Sequence, residues 1–437
     1  MTHKQELLNK FNNRTATVGI VGLGYVGLPL AVEFAEAGYT VIGVDVDAGK
    51  VEKLNAGNSY IEDIPTERLR RVVDSGKLRG STTYEPLLEA DAISICVPTP
   101  LRGAHEPDLR YVEAAIASIR EIAHAGLLVI LESTTYPGTT EEIIRPQLDS
   151  TEHIIGEDIF LAFSGERIDP GNQKYHLRNT PKVIGGITPD CSELTQALYR
   201  AAVDTVVPVS SPTTAEMVKL WENTFRSVNI GLANEMAVMC DKLGLNVWEV
   251  IEAAKTKPFG FMPFYPGPGV GGHCIPLDPH YLGWKMRTLN YTARFIELAG
   301  EINSNMPQYV VNKIAQALNQ HTKPIRGSRV VLLGVAYKPD IDDVRESPAL
   351  HILELLQQQG AEIAYSDPHV PSLRLEDGST LQDCGFSPQI LREADCVVIT
   401  TNHSDMDWQA VLEHSPLIVD TRNALGDQRD NPKVIGL

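Results

Sequence analysis

Residues 16–47 read ATVGIVGLGYVGLPLAVEFAEAGYTVIGVDVD. Two apolar, β-branched runs flank the turn Gly22-x-Gly24-x-x-Gly27, and Asp45 stands at the end of the second run. This order of strand, glycine turn, helix and strand narrows the fold more than any other feature of the chain, because two parallel strands need a crossover, usually a helix. Glycines permit the tight turn and let a pyrophosphate approach the helix N-terminus. Asp45 is placed to accept from the adenosine ribose hydroxyls and to repel a 2′-phosphate, which points to NAD rather than NADP. The competing reading is a glycine turn that only packs a helix on a strand.

Further units of the same kind follow. ADAISICVPTP (90–100) and GLLVILESTTYPGTT (126–140) are apolar strands ending in polar turns, so Thr99, Ser133 and Thr134 fall at carboxyl ends, where open α/β sheets bind ligands. FLAFSGERIDPG (160–171) then presents Glu166 and Arg167. A chain of 437 residues has room for two or three domains. The net charge of −18 disfavours nucleic acid and anionic membranes. No apolar run approaches the roughly 18 residues of a membrane span, and the N-terminal residues lack the apolar core of a signal peptide, so a cytoplasmic protein is expected. The six cysteines are scattered without a CxxC pair, which argues against a disulfide framework or zinc knuckle.

From about Thr213 the period becomes helical. Met217, Leu220, Trp221, Thr224 and Val228 are expected on one face, and Lys219, Asn223 and Arg226 form a polar stripe. That stripe is either a solvated face or a functional one. A second α/β pattern starts near Ser328, with one turn glycine, Gly334, and no GxGxxG, so any phosphate grip there falls to side chains such as Lys338 and Arg345. A later strand ends in Arg422. The expected fold is α/β: two Rossmann-like, doubly wound domains (1–205 and 323–437) joined by a central helical domain (206–322) with a long bridging helix.

Between the helical part and the second α/β pattern lies PGPGVGGHCIPLDPHYL (266–282), too rich in Gly and Pro for a regular element. Its Cys274 admits three readings. His273, Cys274, Asp278 and His280 match no common zinc spacing. A packed structural thiol is the ordinary case. The third reading is a nucleophile, with Gly271 and Gly272 leaving room for a substrate and Asp278 orienting a water or taking a proton. An NAD site and a nucleophilic thiol together suit a four-electron oxidation. A thiolate adds to an aldehyde, the thiohemiacetal gives up hydride, and water hydrolyses the resulting thioester.

GLGYVGLPLA, SGERIDPG, EMVKLWENTFRSVNIGLANE, GGHCIPLDP and GVAYKPDIDDVRESPA occur in this order over nearly the whole chain. Together they resemble the nucleotide-sugar 6-dehydrogenase family, which includes the UDP-glucose and GDP-mannose dehydrogenases. The stretch around Cys274 resembles most the branch acting on UDP-N-acetylglucosamine for bacterial surface polysaccharides, with UDP-N-acetylmannosamine or UDP-glucose as alternatives; the rival reading is a two-electron dehydrogenase of the β-hydroxyacid type, which needs neither the thiol nor a second α/β domain. The resemblance implies Cys274 as nucleophile, Lys219 and Asn223 at the oxyanion, Asp278 and Thr134 at the catalytic water, and Glu166 as acid/base. It implies cofactor contacts from Gly22, Gly24, Tyr25, Val26, Gly27, Asp45, Lys50, Pro98, Thr99, Thr134 and Arg345. It implies substrate contacts from Glu166, Arg167, Lys219, Asn223, Arg226, Phe264, Tyr265, Gly267, Gly271, Lys338 and Arg422. No metal is implied; a homodimer through the long helix, or a higher homo-oligomer, is. Two departures stand out. Gly165 replaces a usual proline, which predicts a looser Glu166. Pro258, beside Lys257, stands where UDP-glucose dehydrogenases carry an arginine that reaches across the dimer.

Overall fold

The computed structural model describes residues 1–61, 63–103, 106–149, 153–169, 171–172, 174–272, 274–375, 377–428 and 431–437. The chain forms two compact units. The first comprises Met1–Glu222 and His280–Tyr291, the second Asn223–Pro279 and Thr292–Leu437. The expected central helical segment is thus divided between them, and the division falls inside one continuous helix, Pro212–Leu243.

The first unit is built on an eight-stranded sheet. Its spatial order is Val206–Val209, Lys182–Gly186, Ile159–Phe163, Leu127–Leu131, Ala92–Ile95, Thr17–Val21, Thr40–Val44 and Leu78–Ser81. Every pairing is parallel except that of Ile159–Phe163 with Lys182–Gly186. Helices cover both faces of such a sheet, so strands like Leu127–Leu131 are apolar at every position and wholly buried. The first strand lies between the second and the fourth, Ala92–Ile95, and this reversal of strand order opens the crevice where a dinucleotide binds.

The second unit repeats the plan with five parallel strands, ordered Glu362–Ser366, Arg329–Leu333, Cys396–Ile399, Ile418–Asp420 and Val434–Gly436. Its core adds the helix Arg294–Gln320 through Met306, Val310, Val311 and Ile314.

The long helix departs from its expected faces. Leu220 and Thr224 are buried as predicted, but Trp221 is 62 % exposed. Lys219 and Asn223, whose solvation was one reading, are buried, at 9 % and 5 %, while Arg226 is exposed. The buried side of this helix mixes polar residues, Glu216, Lys219, Asn223, Ser227 and Asn234, with Leu220, Ala237 and Cys240, while several large apolar side chains face outward. Among the described residues no helix is long and apolar enough to cross a membrane.

Candidate active site

In the first unit the glycine turn has the geometry a dinucleotide needs. Gly22 adopts φ 93°, and a Cβ there would sit 2.6 Å from the Cys96 carbonyl oxygen; a Cβ on Gly27 would strike the Gly22 carbonyl. A Cβ on Gly24 would meet nothing within 4 Å, so packing inside the protein does not demand this glycine; the space it leaves suits a ligand. The helix Gly27–Glu36 starts without a side-chain cap at Val26 and without an acidic residue in its first turn, which leaves its N-terminus receptive to phosphate. Tyr25 is partly exposed beside it. Asp45 also has partners within the chain. Its Oδ2 accepts from the Leu23 amide at 2.8 Å and its Oδ1 from the Asp47 amide at 2.9 Å, which ties the turn to the second strand. Lys50 Nζ lies 3.5 Å from the same carboxylate. Beyond the fourth strand Pro98 is exposed, and the Thr99 hydroxyl donates to the Thr134 carbonyl at 2.7 Å.

The turn after Phe163 holds Glu166 firmly, against the expectation that Gly165 loosens it. Glu166 Oε1 accepts from the amides of Arg167 and Ile168 at 2.6 and 2.7 Å, and Oε2 from Lys182 Nζ at 3.3 Å. These three donors do what a proline would have done by stiffness. Burial pushes the Glu166 carboxyl up, but Lys182, the two amides and Lys219 outweigh it, and the net effect is below the ordinary carboxylate value. Arg167 turns away, making a two-pronged pair with Glu222 at 2.5 and 3.2 Å. The Lys182 environment was missed in the sequence; its signal was a lysine opening the otherwise apolar strand KVIGG.

In the second unit Asn223 Nδ2 donates to Asp278 Oδ2 at 2.5 Å, both side chains being buried. The Cys274 carbonyl accepts from the Asp278 amide at 2.8 Å, so the half-buried cysteine precedes by one turn the helix Asp278–Thr288. His273 lies outside the described residues. The loop glycines are closely packed against the chain itself. A Cβ on Gly271 would sit 2.5 Å from Tyr337 Cβ and 2.8 Å from the Glu346 carbonyl, and one on Gly272 would press into the Tyr337 ring. The Gly272 amide also donates to the Arg345 carbonyl. These glycines therefore admit the segment around 337–346. A Cβ on Gly267 would sit 2.5 Å from the Arg422 guanidinium, and the Gly267 amide donates to Asn234 Oδ1, part of a buried amide pair with Asn303 that sequence reading missed. Arg422 Nε donates to the Thr400 carbonyl at 2.9 Å, and burial lowers its pKa to about 10 against the pull of Asp420. A desolvated guanidinium of this kind is suited to a phosphate.

The remaining expected contacts are differently engaged. Arg345 is gripped bidentately by Asp343 at 2.6 to 3.1 Å. Tyr265 stacks on Trp248 and donates to Glu252 at 2.8 Å, and half-buried Phe264 packs edge-on against Phe225. Lys338 is half-buried. One cluster of metal-ligating types, Asp340, His369, His403 and Asp405, lies among the described residues. However, both nitrogens of buried His403 are committed, Nδ1 to the Asp340 amide and Nε2 to Asp367, each at 3.0 Å.

An NAD-type turn, a second Rossmann-like unit with a half-buried guanidinium and a loop cysteine are the parts of a dinucleotide-dependent oxidoreductase. Comparison with known proteins names the family. Residues 16–203 match the NAD binding domain of the UDP-glucose/GDP-mannose dehydrogenase family, residues 213–305 its central domain and residues 331–427 its UDP binding domain. The chain is 40% identical over 406 residues to the UDP-N-acetyl-D-mannosamine dehydrogenase of Escherichia coli K12, covering 89% of this chain and 94% of that one. It is 38% identical over 428 residues to an NDP-N-acetyl-D-galactosaminuronic acid dehydrogenase of Ralstonia nicotianae, covering 94% and 97%. The solved structure of a UDP-D-ManNAc dehydrogenase from Pyrococcus horikoshii superposes with a TM-score of 0.87 at 36% identity, covering 96% of this chain and 98% of that one. The chain belongs to the UDP-glucose/GDP-mannose dehydrogenase family, and its cofactor is NAD.

Proposed function

We propose that this enzyme oxidises the C6 hydroxyl of UDP-N-acetylmannosamine to the uronic acid, in four electrons, through a thioester on Cys274. The observation that carries the choice of sugar is the set of named relatives. Those from Pyrococcus horikoshii, Campylobacter jejuni and Escherichia coli are UDP-N-acetyl-D-mannosamine dehydrogenases, 37 to 40% identical over at least 89% of this chain. They favour the manno alternative over UDP-N-acetylglucosamine, the sugar suggested by the residues around Cys274. Pro258 in place of an arginine fits a substrate other than UDP-glucose.

NAD, when bound, accepts a hydride in each of two successive oxidations. The residues of the chain do the rest. After the first oxidation the Cys274 thiolate adds to the C6 aldehyde, and Lys219 and Asn223 hold the resulting oxyanion. Loss of the second hydride from that carbon leaves the thioester. Asp278 and Thr134 position a water, Glu166 takes its proton, and the sulfur leaves as thiolate. The balance is one alcohol, one water and two NAD consumed, with one carboxylate, two NADH and three protons released. Arg422 and Lys338 bind the diphosphate. The enzyme acts in the cytoplasm as a homodimer, supplying uronic acids for surface polysaccharide.

A panel of UDP-sugars, with NADH counted per sugar and product mass measured, tests this. The expected outcome is highest kcat/KM with UDP-N-acetylmannosamine, two NADH per sugar, and a product richer by one oxygen and poorer by two hydrogens. Higher kcat/KM with UDP-N-acetylglucosamine would return the reading to that sugar. One NADH per sugar would overturn the thioester route.

A further inference from the structure

The first unit buries a lysine to which the mechanism above gives no task. Lys182 opens the strand Lys182–Gly186 with its side chain 3 % exposed. Its ammonium donates to Glu132 Oε2 at 2.7 Å and to Glu166 Oε2 at 3.3 Å. Glu132, at the end of the strand Leu127–Leu131, is fully buried, and its other oxygen accepts from the Tyr199 hydroxyl. The Tyr199 ring lies under the same ammonium, 5.5 Å from its centroid.

Burying these charges is expensive, and an apolar set of the same volume serves packing as well or better. One lysine between two carboxylates also cannot neutralise both, so the two compete for it. The donors decide which is better held. Glu166 has Lys182, two backbone amides and the nearby charge of Lys219; Glu132 has only Lys182 and a phenol.

We propose that Lys182 is a positioning residue for the reaction: it holds Glu166 ionised and oriented as the base for thioester hydrolysis, and Glu132, anchored by Tyr199, fixes Lys182 in place. This rests on the role given to Glu166 above. The opposite displacements of the two acids agree with it. Burial raises Glu132 above its ordinary value despite Lys182, whereas Glu166 ends below it. The groups facing Glu166 are Lys182, Glu132, Lys219 and the Cys96 thiol, whose pKa burial raises, with Tyr199 behind Glu132; Arg167 is turned to Glu222.

The test is the pH profile of kcat for the full-length enzyme, with NAD and the best nucleotide sugar of the panel. Lys182→Met should move the acidic limb up by about one to three pH units, the worth of one close cation, with KM for NAD little changed. Lys182→Arg should restore the limb. Glu132→Gln leaves the lysine to Glu166 alone and should move the limb down. A merely structural lysine would lower kcat at every pH alike, and a profile of that shape in Lys182→Met overturns the proposal. If that variant does not fold, Glu132→Gln decides: a limb that falls supports the proposal, and one that stays or rises overturns it. Glu166→Gln separates this inference from the reading beneath it. Stalled turnover, with a covalent adduct on Cys274 by intact mass, upholds Glu166 as base. Wild-type kcat and limb in that variant would overturn both.

Discussion

Cys274 and Asp45 are residues whose chemical type alone suggests a task. Serine at 274 would form an alkoxide far less readily than a thiolate, and an ester is slower to hydrolyse than a thioester. Cys274→Ser should therefore lose at least tenfold in kcat, about 1.4 kcal/mol or more, while retaining NAD and sugar affinity by calorimetry. A smaller loss would contradict covalent catalysis. At Asp45 the structure adds a second task, since the carboxylate also secures the Leu23 and Asp47 amides and draws Lys50 to within 3.5 Å. Asp45→Ala should therefore cost efficiency with NAD by about tenfold or more and release Lys50 toward a 2′-phosphate. Side-by-side kcat/KM values should show the wild type strongly preferring NAD and the variant shifted toward NADP. Equal use of both by the wild type would remove Asp45 from cofactor selection.

The helix Pro212–Leu243 is about 48 Å long by its residue count and is inverted relative to an ordinary surface helix. Polar side chains are buried along it, while Trp221, Phe225, Leu232, Met239 and Leu243 are exposed at spacings of four and seven. That is a seam of the kind a second helix covers. Leu243 is 71 % exposed, and Phe295 on Arg294–Gln320 is similarly bare. Sequence patterning sets apolar residues against polar ones but cannot say which of them face the chain's own core; here several polar residues do, beside Leu220 and small apolar ones, and the largest apolar side chains do not. A charge in mid-seam, Leu232→Glu, should convert the proposed homodimer to monomer by light scattering while circular dichroism stays unchanged. An unaltered oligomer would place the interface elsewhere.

Across the molecule the two α/β units solve one structural problem with the same parts. Gly334, at φ 80°, packs against the Thr401 carbonyl as Gly22 packs against that of Cys96. Asp367 follows the second strand of its sheet as Asp45 does, accepting from Val335 at 2.6 Å, Ala336 at 3.1 Å and His369 at 2.9 Å. The difference is His403, which donates to Asp367 Oδ2 and so takes the place where a ribose hydroxyl could bind. Burial alone would raise the Asp367 carboxyl; His403 and the backbone donors overcome this and hold it at about 2. Because the folded value lies below the unfolded one, the stabilisation is complete above about pH 4 and is lost as pH falls toward 2. A depression of nearly two pH units is worth about 2 kcal/mol. Urea unfolding of wild type and Asp367→Asn should differ by that order at pH 6 and converge toward pH 2. A gap that is constant with pH would show that ionisation of Asp367 does not contribute.

Local order was enough to read both strand–turn–helix–strand units, the NAD turn and the polar stripe of the long helix, because each depends on residues within a few turns of one another. Tertiary structure decided what those residues face. It buried Lys219 and Asn223 and exposed Trp221. It filled the space beside Gly271 and Gly272 with Tyr337 and Glu346, and it fixed Glu166 with a lysine 16 residues further on. The Lys182–Glu132–Tyr199 group joins two strands and a helix spread over 67 residues, and no periodicity records such a meeting. The reason is physical: side-chain spacing specifies a face, whereas the burial of a charge depends on which partners the topology of the sheet brings to it.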